Sequence, residues 1–491
     1  MPERYHIHTV PTPARFRRIG KFGTADCRED CSRCKNCVKI RCLYGVYDAE
    51  AAHNRNAAAP LQPVFECKAC LSCVQGCTKG LLTLVVNPEF LALGDSYWRP
   101  DMLSTTWDQT DSGRIPVSGA GYRGPFSGPG FDAMWTDMSE IVRPTRDGIH
   151  GREYINTSVD IGPKPLRLEF DAGGALRNSA SLLEVQMPIL LDAAPWGDPS
   201  DAILKARVSA AVALKTLAIV PARGLSAVAA EQSHAVMPLL QAEEALAQGP
   251  ALAQYRMVEL VDGAASIPVT KKLQEIAPRL LVAVRLPLRP DAAKRVLELH
   301  AGGVRIVHLC ADFHGRELNG ATGKRPRFIK EVLREVHGAL VKQGVRDEMT
   351  LIGSGGIALA EHMAKAVICG ADLVGVDIPL LVALGCRVCP GGCRAGFQPA
   401  QDRQDACPTN EGCPVGLGAV ESPYAAQRMV NLMGAWHSQL IEVLGAMGMR
   451  EVRRLRGDVG RAMFIEDLER DAFKELVRCP STLSPVGRGP T

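Results

Sequence analysis

The stretch LIGSGGIALAEHMAKAVICGADLVGVD (351–377) decides how this chain is read. An apolar run ends in Gly353-Ser354-Gly355-Gly356, a helical stretch begins near Ala358, and a second apolar run follows at once. Glycines let backbone N–H groups approach a phosphate closely, and the N-terminus of the following helix adds favourable partial charge. Tight turns also use glycine for geometry alone, so the segment must be weighed with its surroundings. Gly375, near the end of the second run, is placed to close the same pocket.

Outward from this segment, short β-type runs alternate with helical stretches. The strand candidates are 188–192, 216–220, 257–261, 280–286, 304–309, 350–353 and 372–376, with a weaker eighth at 234–240. Helical periods occupy 198–214, 291–301, 326–343 and 358–369. Short buried strands alternating with helices predict an α/β fold with a parallel sheet. Eight units over roughly 200 residues predict a (β/α)8 barrel of the TIM type, with an open doubly wound sheet as the alternative. In such barrels the loops after strands 7 and 8 commonly hold phosphate, and residues 353–357 fall there.

The N-terminal part carries two cysteine runs: Cys31, Cys34, Cys37 and Cys42, then Cys67, Cys70, Cys73 and Cys77. Three cysteines at C-x2-C-x2-C can bind three corners of a cubane, and the fourth further along serves the neighbouring cluster. This pairs Cys31, Cys34 and Cys37 with Cys77 around one 4Fe–4S centre, and Cys67, Cys70 and Cys73 with Cys42 around the other. Zinc is the competing reading, but zinc sites usually combine two separated pairs. The first run has four residues between Cys37 and Cys42, and Leu43 and Thr78 stand where the bacterial ferredoxin run has proline.

A third group, Cys386, Cys389, Cys393, Cys407 and Cys413, directly follows the last predicted strand. It predicts a third iron–sulfur cluster (3Fe–4S or 4Fe–4S) on Cys386, Cys389, Cys393 and Cys413, with zinc or free thiols as the alternative. Cys407 lies in the polar, turn-rich stretch 394–412 and is a poor ligand candidate. Cys310 and Cys369 sit in apolar contexts and read as core residues.

The expected organisation is a loosely ordered lead-in (1–26), a 2×(4Fe–4S) ferredoxin-like domain (27–86) and a connector rich in Gly, Pro and Trp (87–184). The barrel follows (185–420), then C-terminal helices (421–478) and a tail (479–491). Ser422-Pro423 starts one helix, and another is predicted over 450–476, broken near 457–460.

Bulk properties narrow the function classes. The chain has 491 residues, a net charge of +4, 46% hydrophobic and 22% charged residues. So small a charge does not call for nucleic acid as partner. Nine of 17 cysteines precede residue 80 and five more lie between 386 and 413, which fits metal clusters in a reducing cytoplasm better than disulfides. No apolar run approaches the ~18 residues of a membrane span, and MPERYHIHTVPTPARFRR lacks the apolar core of an export signal. The expectation is a cytoplasmic protein with no membrane or nucleic-acid partner and an oligomeric state left open.

Longer stretches carry a family resemblance. GYRGPFSGPGFDAMWTDMSEIVRPTRDGIHGREYINTSVDIGPKP (121–165) resembles the signature of ferredoxin-fused, archaeal-type members of the FMN-binding glutamate synthase family. PLLVALGC (379–386) with CPVG (413–416) is similar to the family's barrel end and cluster motif, and QRMVNLMGAWHSQLIEVLGAMGMREVRRLRG (427–457) to its C-terminal helices. The resemblance covers nearly all of 27–475. It implies an iron–sulfur flavoprotein oxidoreductase acting on CH–NH2 donors, with FMN fed by clusters that take electrons from a ferredoxin or an NAD(P)H-oxidising subunit. In the family the reduced substrate is the 2-imine of 2-oxoglutarate.

Carried over residue by residue, the flavin turn matches Ser354, Gly355, Gly356 and Ile357, beside Gly353 and Gly375. The family's Gly-Thr pair after the next strand is replaced by Asp377-Ile378, a carboxylate that would repel a phosphate unless it points away. Its strand lysine is replaced by Arg285, its GEGG segment by Pro221-Ala222-Arg223-Gly224, and its Gly-Gly-Thr-Gly segment by CADFHG (310–315). Its SGRFG segment has no counterpart. Arg285, Arg223 and His314 are the candidates to orient a carboxylate or donate a proton, while His308, His314 and His362 also read as satisfied polar residues at element ends. No catalytic Cys follows Met1 and no glutaminase-sized domain precedes the clusters, so an amidotransferase activity is not expected. The alternative function is a non-catalytic electron-transfer or assembly protein whose barrel has lost FMN.

Overall fold

A computed structural model of the chain describes residues 5–16, 18–27, 30–32, 34, 36–44, 67, 69–115, 128–136, 154–164, 167–175, 181–318, 326–389 and 413–473. Near the N-terminus, β1 (Phe22–Cys27) and β2 (Leu82–Val86) pair antiparallel, with Cys27 opposite Leu82. Two one-turn helices, Asn36–Lys39 and Ser72–Gln75, pack together between these strands in sequence and carry Cys37 and Cys73. Then come β3 (Met134–Thr136) and an antiparallel pair, β4 (Val159–Ile161) with β5 (Leu183–Val185).

Eight parallel strands follow and close on themselves. They are β6 (Ile189–Leu191), β7 (Ala218–Pro221), β8 (Val236–Leu240), β9 (Met257–Val261), β10 (Leu281–Pro287), β11 (Ile306–Cys310), β12 (Thr350–Ser354) and β13 (Leu373–Val376). Each pairs with its sequence neighbour and β13 pairs with β6, so the sheet is a closed barrel and the open alternative falls. Seven of these strands coincide with the strongest sequence runs. The weak run at 234–240 is β8, whose Pro238 donates no ladder hydrogen bond and so dilutes the strand signal. At the barrel base, Thr350 at the start of β12 accepts from the Gly162 N–H at 3.2 Å, tying the β4–β5 pair beneath the barrel.

The outer layer contains helices Asp201–Leu214, Ala242–Gln248, Ser266–Ile276, Ala292–Ala301, Ile329–Lys342 and Ala360–Ile368. The long helix Ser422–Ala446 packs on Asp201–Leu214 and on the connector helix Pro100–Ser112. Beyond it, the helix predicted over 450–476 is instead two 3-10 turns (Val452–Leu455 and Val459–Arg461), β14 (Ala462–Phe464) paired with β3, and a short helix Ile465–Ala472. Gly457, at φ 71, turns the chain between the two 3-10 segments.

The lead-in also differs from expectation, because its described residues are anchored. Tyr5 Oη donates to Leu214 O at 2.8 Å, Asn431 Nδ2 donates to Val10 O at 2.7 Å, and Ile7 and Ile19 are buried. No helix among the described residues is long and apolar enough to cross a membrane.

Candidate functional site

The upper interior of the barrel is charged where such barrels are usually filled by branched apolar side chains. Glu259 on β9, Arg285 on β10 and His308 on β11 meet there with Asp192, which directly follows β6. Since β6 and β10 stand on opposite sides of the barrel, the bridge from Arg285 to Asp192 crosses its interior. Arg285 Nη2 lies 2.7 Å from Asp192 Oδ2, and Nη1 lies 3.1 Å from Glu259 Oε2. The other Glu259 oxygen is 2.5 Å from His308 Nδ1. His308 and Glu259 are fully buried, whereas Arg285 keeps 21% of its side chain exposed at the mouth.

Burial disfavours the charged form of His308, but Cys310 and Glu259 outweigh it and lift the imidazole to about 10. Burial likewise raises Asp192, yet Arg285 and His308 bring it below the ordinary carboxylate range. Asp377 has no ion pair among the described residues. Burial, joined by the Asp192 charge, pushes its carboxyl up to about 7. Its Oδ1 accepts the Ile378 N–H at 2.6 Å, capping the buried helix Ile378–Ala383. The carboxylate expected to repel a phosphate therefore turns back on its own helix and is only partly ionised near neutral pH.

The glycine turn lies beside this layer. Gly353, Ser354, Gly355, Gly356 and Ile357 are all buried, and Gly355 and Gly356 take φ 91 and 70. A Cβ at Gly355 would stand 2.5 Å from Asp312 O, and one at Gly356 2.7 Å from the Gly315 Cα, so only glycine fits against the β11 loop. Among the described residues, the N–H groups of Gly355, Gly356 and Ile357 find no acceptor. Buried backbone donors are almost always paired. Three successive open ones at a helix entrance form an anion nest. The Asp312 carboxylate is spent locally on the N–H groups of His314 (2.9 Å) and Arg316 (2.7 Å). From the connector, Tyr97 Oη donates to Gly356 O and Trp98 Nε1 to Phe313 O at 2.9 Å, fixing turn and loop together.

The cysteine runs show a shared backbone feature. Four non-glycine residues take positive φ among the described residues, and three stand inside C-x2-C spacers: Ala69 (54), Leu71 (60) and Val388 (49). Ala69 and Val388 occupy the same place, directly before the second cysteine. A β-branched residue in this region is an outlier that marks a constrained loop. Cys31 lies within electrostatic reach of Cys77, and Cys67 and Cys70 within reach of Cys73. The Leu81 N–H, with that of Lys79, pulls the Cys77 thiol below its ordinary value; Leu81 N lies 3.4 Å from the sulfur. In the third group the Val388 N–H donates to Cys386 Sγ at 3.4 Å. Arg15 lies within reach of Cys413 and donates to Leu384 O (2.8 Å), Val415 O (2.9 Å) and Gly416 O (3.1 Å). Cys393 and Cys407 lie outside the described residues.

Of the three residues predicted to meet a substrate, Arg285 sits at the mouth but is already paired twice. His314 Nε2 lies 2.7 Å from Asp95 Oδ2 and its ring stacks by Phe313, so it holds the β11 loop to the connector. Arg223 stands exposed on the 3-10 turn after β7, beside Gly197. His362 is a satisfied buried residue: Nδ1 accepts the Ala358 N–H at 3.1 Å and Nε2 is 3.0 Å from Asp132. Sequence reasoning missed Asp192, Glu259 and the inward role of His308. The only signal was a charged residue inside, or directly after, an apolar strand run.

Residues 328–450 match the family described as the conserved region in glutamate synthase. The archaeal-type glutamate synthase (NADPH) of Dehalococcoides mccartyi is 23% identical, covering 89% of this chain and 94% of its own. The archaeal glutamate synthase (NADPH) of Archaeoglobus fulgidus is 24% identical, covering 95% and 97%. Among solved structures, a sulfite-bound flavocytochrome b2 variant aligns at 13% identity with a TM-score of 0.42, over 82% of this chain and 91% of that one.

Proposed function

Because this chain is a divergent member of the archaeal-type glutamate synthase family, we propose that it is an iron–sulfur flavoprotein oxidoreductase that passes electrons from ferredoxin-like clusters through FMN to an imine or related substrate. The observation that carries this reading is the buried Gly355-Gly356-Ile357 nest at the top of the seventh barrel strand, whose three N–H groups have no acceptor among the described residues. An anionic phosphate suits that donor set. FMN, when bound, supplies exchange between one-electron carriers and two-electron chemistry at a substrate.

The residues divide the remaining work. Gly353, Ser354, Gly355, Gly356 and Ile357, with Gly375, would hold the phosphate end, and Tyr97 fixes the turn from behind. Arg285 and His308 offset the charge of Asp192 and Glu259, and the raised carboxyl of Asp377 adds less than a full negative charge near pH 7. Cys31, Cys34, Cys37 and Cys77 would hold one 4Fe–4S cluster, and Cys67, Cys70, Cys73 and Cys42 the other. The reach between Cys31 and Cys77 supports the crossed pairing. Cys386, Cys389, Cys393 and Cys413 would hold the third, and the shared conformation of Ala69 and Val388 supports an equivalent loop there. Such thiolate sites, fed by a ferredoxin or an NAD(P)H-oxidising partner, suit a cytoplasmic setting.

The second reading, a non-catalytic electron carrier, is favoured by one observation: both terminal guanidinium nitrogens of Arg285 are engaged by carboxylates, which leaves it poorly placed to take a 2-oxo acid. The deciding experiment follows the flavin absorbance of anaerobically purified protein on adding a low-potential donor, then 2-oxoglutarate with ammonia. Bleaching on reduction and recovery with substrate support the oxidoreductase. A flavin that is reduced but not reoxidised by this pair points to another substrate. Clusters that reduce with no flavin signal overturn the enzyme reading.

A further inference from the structure

We propose that Cys310, backed by His308 and Glu259, is a reactive thiol that exchanges a proton with the ligand held at the barrel mouth. The apolar sequence context of Cys310 predicts a core residue, but its side chain ends in the polar layer. Exposure rises outward along the three residues, from none at Glu259 and His308 to 8% at Cys310 on the last position of β11. Glu259 holds His308 through Nδ1. This leaves Nε2 buried and without a partner among the described residues. An orphaned buried ring nitrogen calls for an explanation, and one explanation is a proton acceptor or donor that arrives with the ligand.

The direction of Nε2 supports this. A Cβ built on Gly375 would stand 3.3 Å from His308 Nε2 and 2.9 Å from Ser354 Cβ. The Ser354 hydroxyl in turn donates to Cys310 Sγ at 3.3 Å. Imidazole and serine thus close on the Gly375 backbone directly below the glycine turn, where a larger side chain would clash, and the serine hydroxyl links them to the thiol. Arg285 is also within electrostatic reach of Cys310. The arrangement has the logic of a nucleophile beside a base that a third residue orients. Cys369 supplies the contrast: its nearest sulfur contact is Met134 Sδ at 3.8 Å, and burial pushes its thiol up to about 12.

The chemistry is a relay of two proton transfers. The Cys310 S–H bond breaks as an N–H bond forms on an imine nitrogen, and the sulfur regains a proton from His308 Nε2 while Glu259 balances the imidazole. No electrons move in this step; the accompanying electron pair is that of the proposed flavin chemistry, on which the inference rests. The groups facing the pair are Glu259, Arg285, Ser354, Asp192 and Asp377, so its pH response includes theirs.

The test is site-resolved alkylation of the full chain by iodoacetamide at pH 7, with Cys310 and Cys369 followed by peptide mass spectrometry. Cys310 is expected to react at least about tenfold faster than Cys369, and His308→Gln to slow Cys310 by roughly tenfold, because reactivity follows thiolate character. Since the glutamine leaves access to the sulfur nearly unchanged, that ratio reports on the pair. Glu259→Gln is the second variant, expected to slow Cys310 by a smaller factor. Equal rates for Cys310 and Cys369, or a Cys310 rate indifferent to both substitutions, overturn the proposal. FMN binding, read separately by flavin fluorescence, distinguishes the two ideas. Binding with an inert Cys310 overturns the inference alone. A reactive Cys310 with no FMN binding overturns the flavin reading and leaves the thiol assignment standing.

Discussion

Val388 and Ala69 hold side chains at φ 49 and 54, a region that L residues enter at a cost of roughly 1–2 kcal/mol. Both precede the second cysteine of a C-x2-C unit, the place where the loop would wrap the proposed metal cluster. Val388→Gly should keep the iron content, whereas Val388→Pro, which forces φ near −65°, should lower it by about one cluster. Iron assayed per chain checks this, and unchanged iron in the proline variant would contradict a cluster at that loop. At the glycine turn, Gly356→Ala forces a Cβ to within 2.7 Å of the Gly315 backbone. FMN affinity should fall at least about tenfold, since the nest must open to admit it; a fluorescence titration measures the change.

Asp377 gives the clearest pH dependence. Its folded carboxyl sits at about 7 against an ordinary 3.8, so the folded state binds the proton more tightly than the unfolded chain. The stability this represents is complete below about pH 4 and is lost as pH rises through 7. Asp377→Asn keeps an acceptor for the Ile378 N–H but cannot ionise. Relative to the variant, the wild type should lose on the order of 1 kcal/mol or more between pH 5 and 8. Parallel urea denaturation at the two pH values reads the difference, and identical pH trends would argue against a neutral Asp377.

At the scale of elements, the barrel was legible because its strands are short apolar runs at regular spacing, and the period reveals them without any long-range information. Pro238 blurred one strand. Helices Ala242–Gln248 and Ser266–Ile276 were absent from the sequence reading, the first because it is short and the second because Pro268 stands near its start. The three-residue strands β4 and β5 are too brief for any period to show. The glycine turn was legible for the same local reason as the strands. The Asp192–Arg285–Glu259–His308 network was not, since its bonded pairs are 26 to 93 positions apart and only the folded barrel brings them together. Closure depends as well on Arg346, which reaches Met349 O (2.8 Å), Gly370 O (2.7 Å) and the buried Asp372 (2.9 Å) at the foot of β12 and β13. Arg346→Ala leaves that carboxylate short of a partner and should cost about 3 kcal/mol in chemical denaturation. A loss below about 1 kcal/mol would mean that Arg456, 3.0 Å from Asp372, suffices alone.

Across the whole molecule, the described lead-in ties the long C-terminal helix to the third cysteine group. The lead-in runs along helix Ser422–Ala446, and Arg15 joins the carbonyls that flank the third cysteine group. That group begins nine residues after Asp377, six of them in the buried helix Ile378–Ala383. A helix of this length rises only about 9 Å, so Cys386 stays close to the mouth and its glycine nest. This continuity supports the proposed electron path into the barrel. What the nest holds decides between the two readings. The measurement is FMN released by acid from anaerobically purified protein, expressed per chain. About one FMN per chain is predicted, as for a flavin held by one phosphate site at a barrel top. No flavin, even after incubation with excess FMN, would contradict the account and leave an iron–sulfur carrier built on a retired barrel.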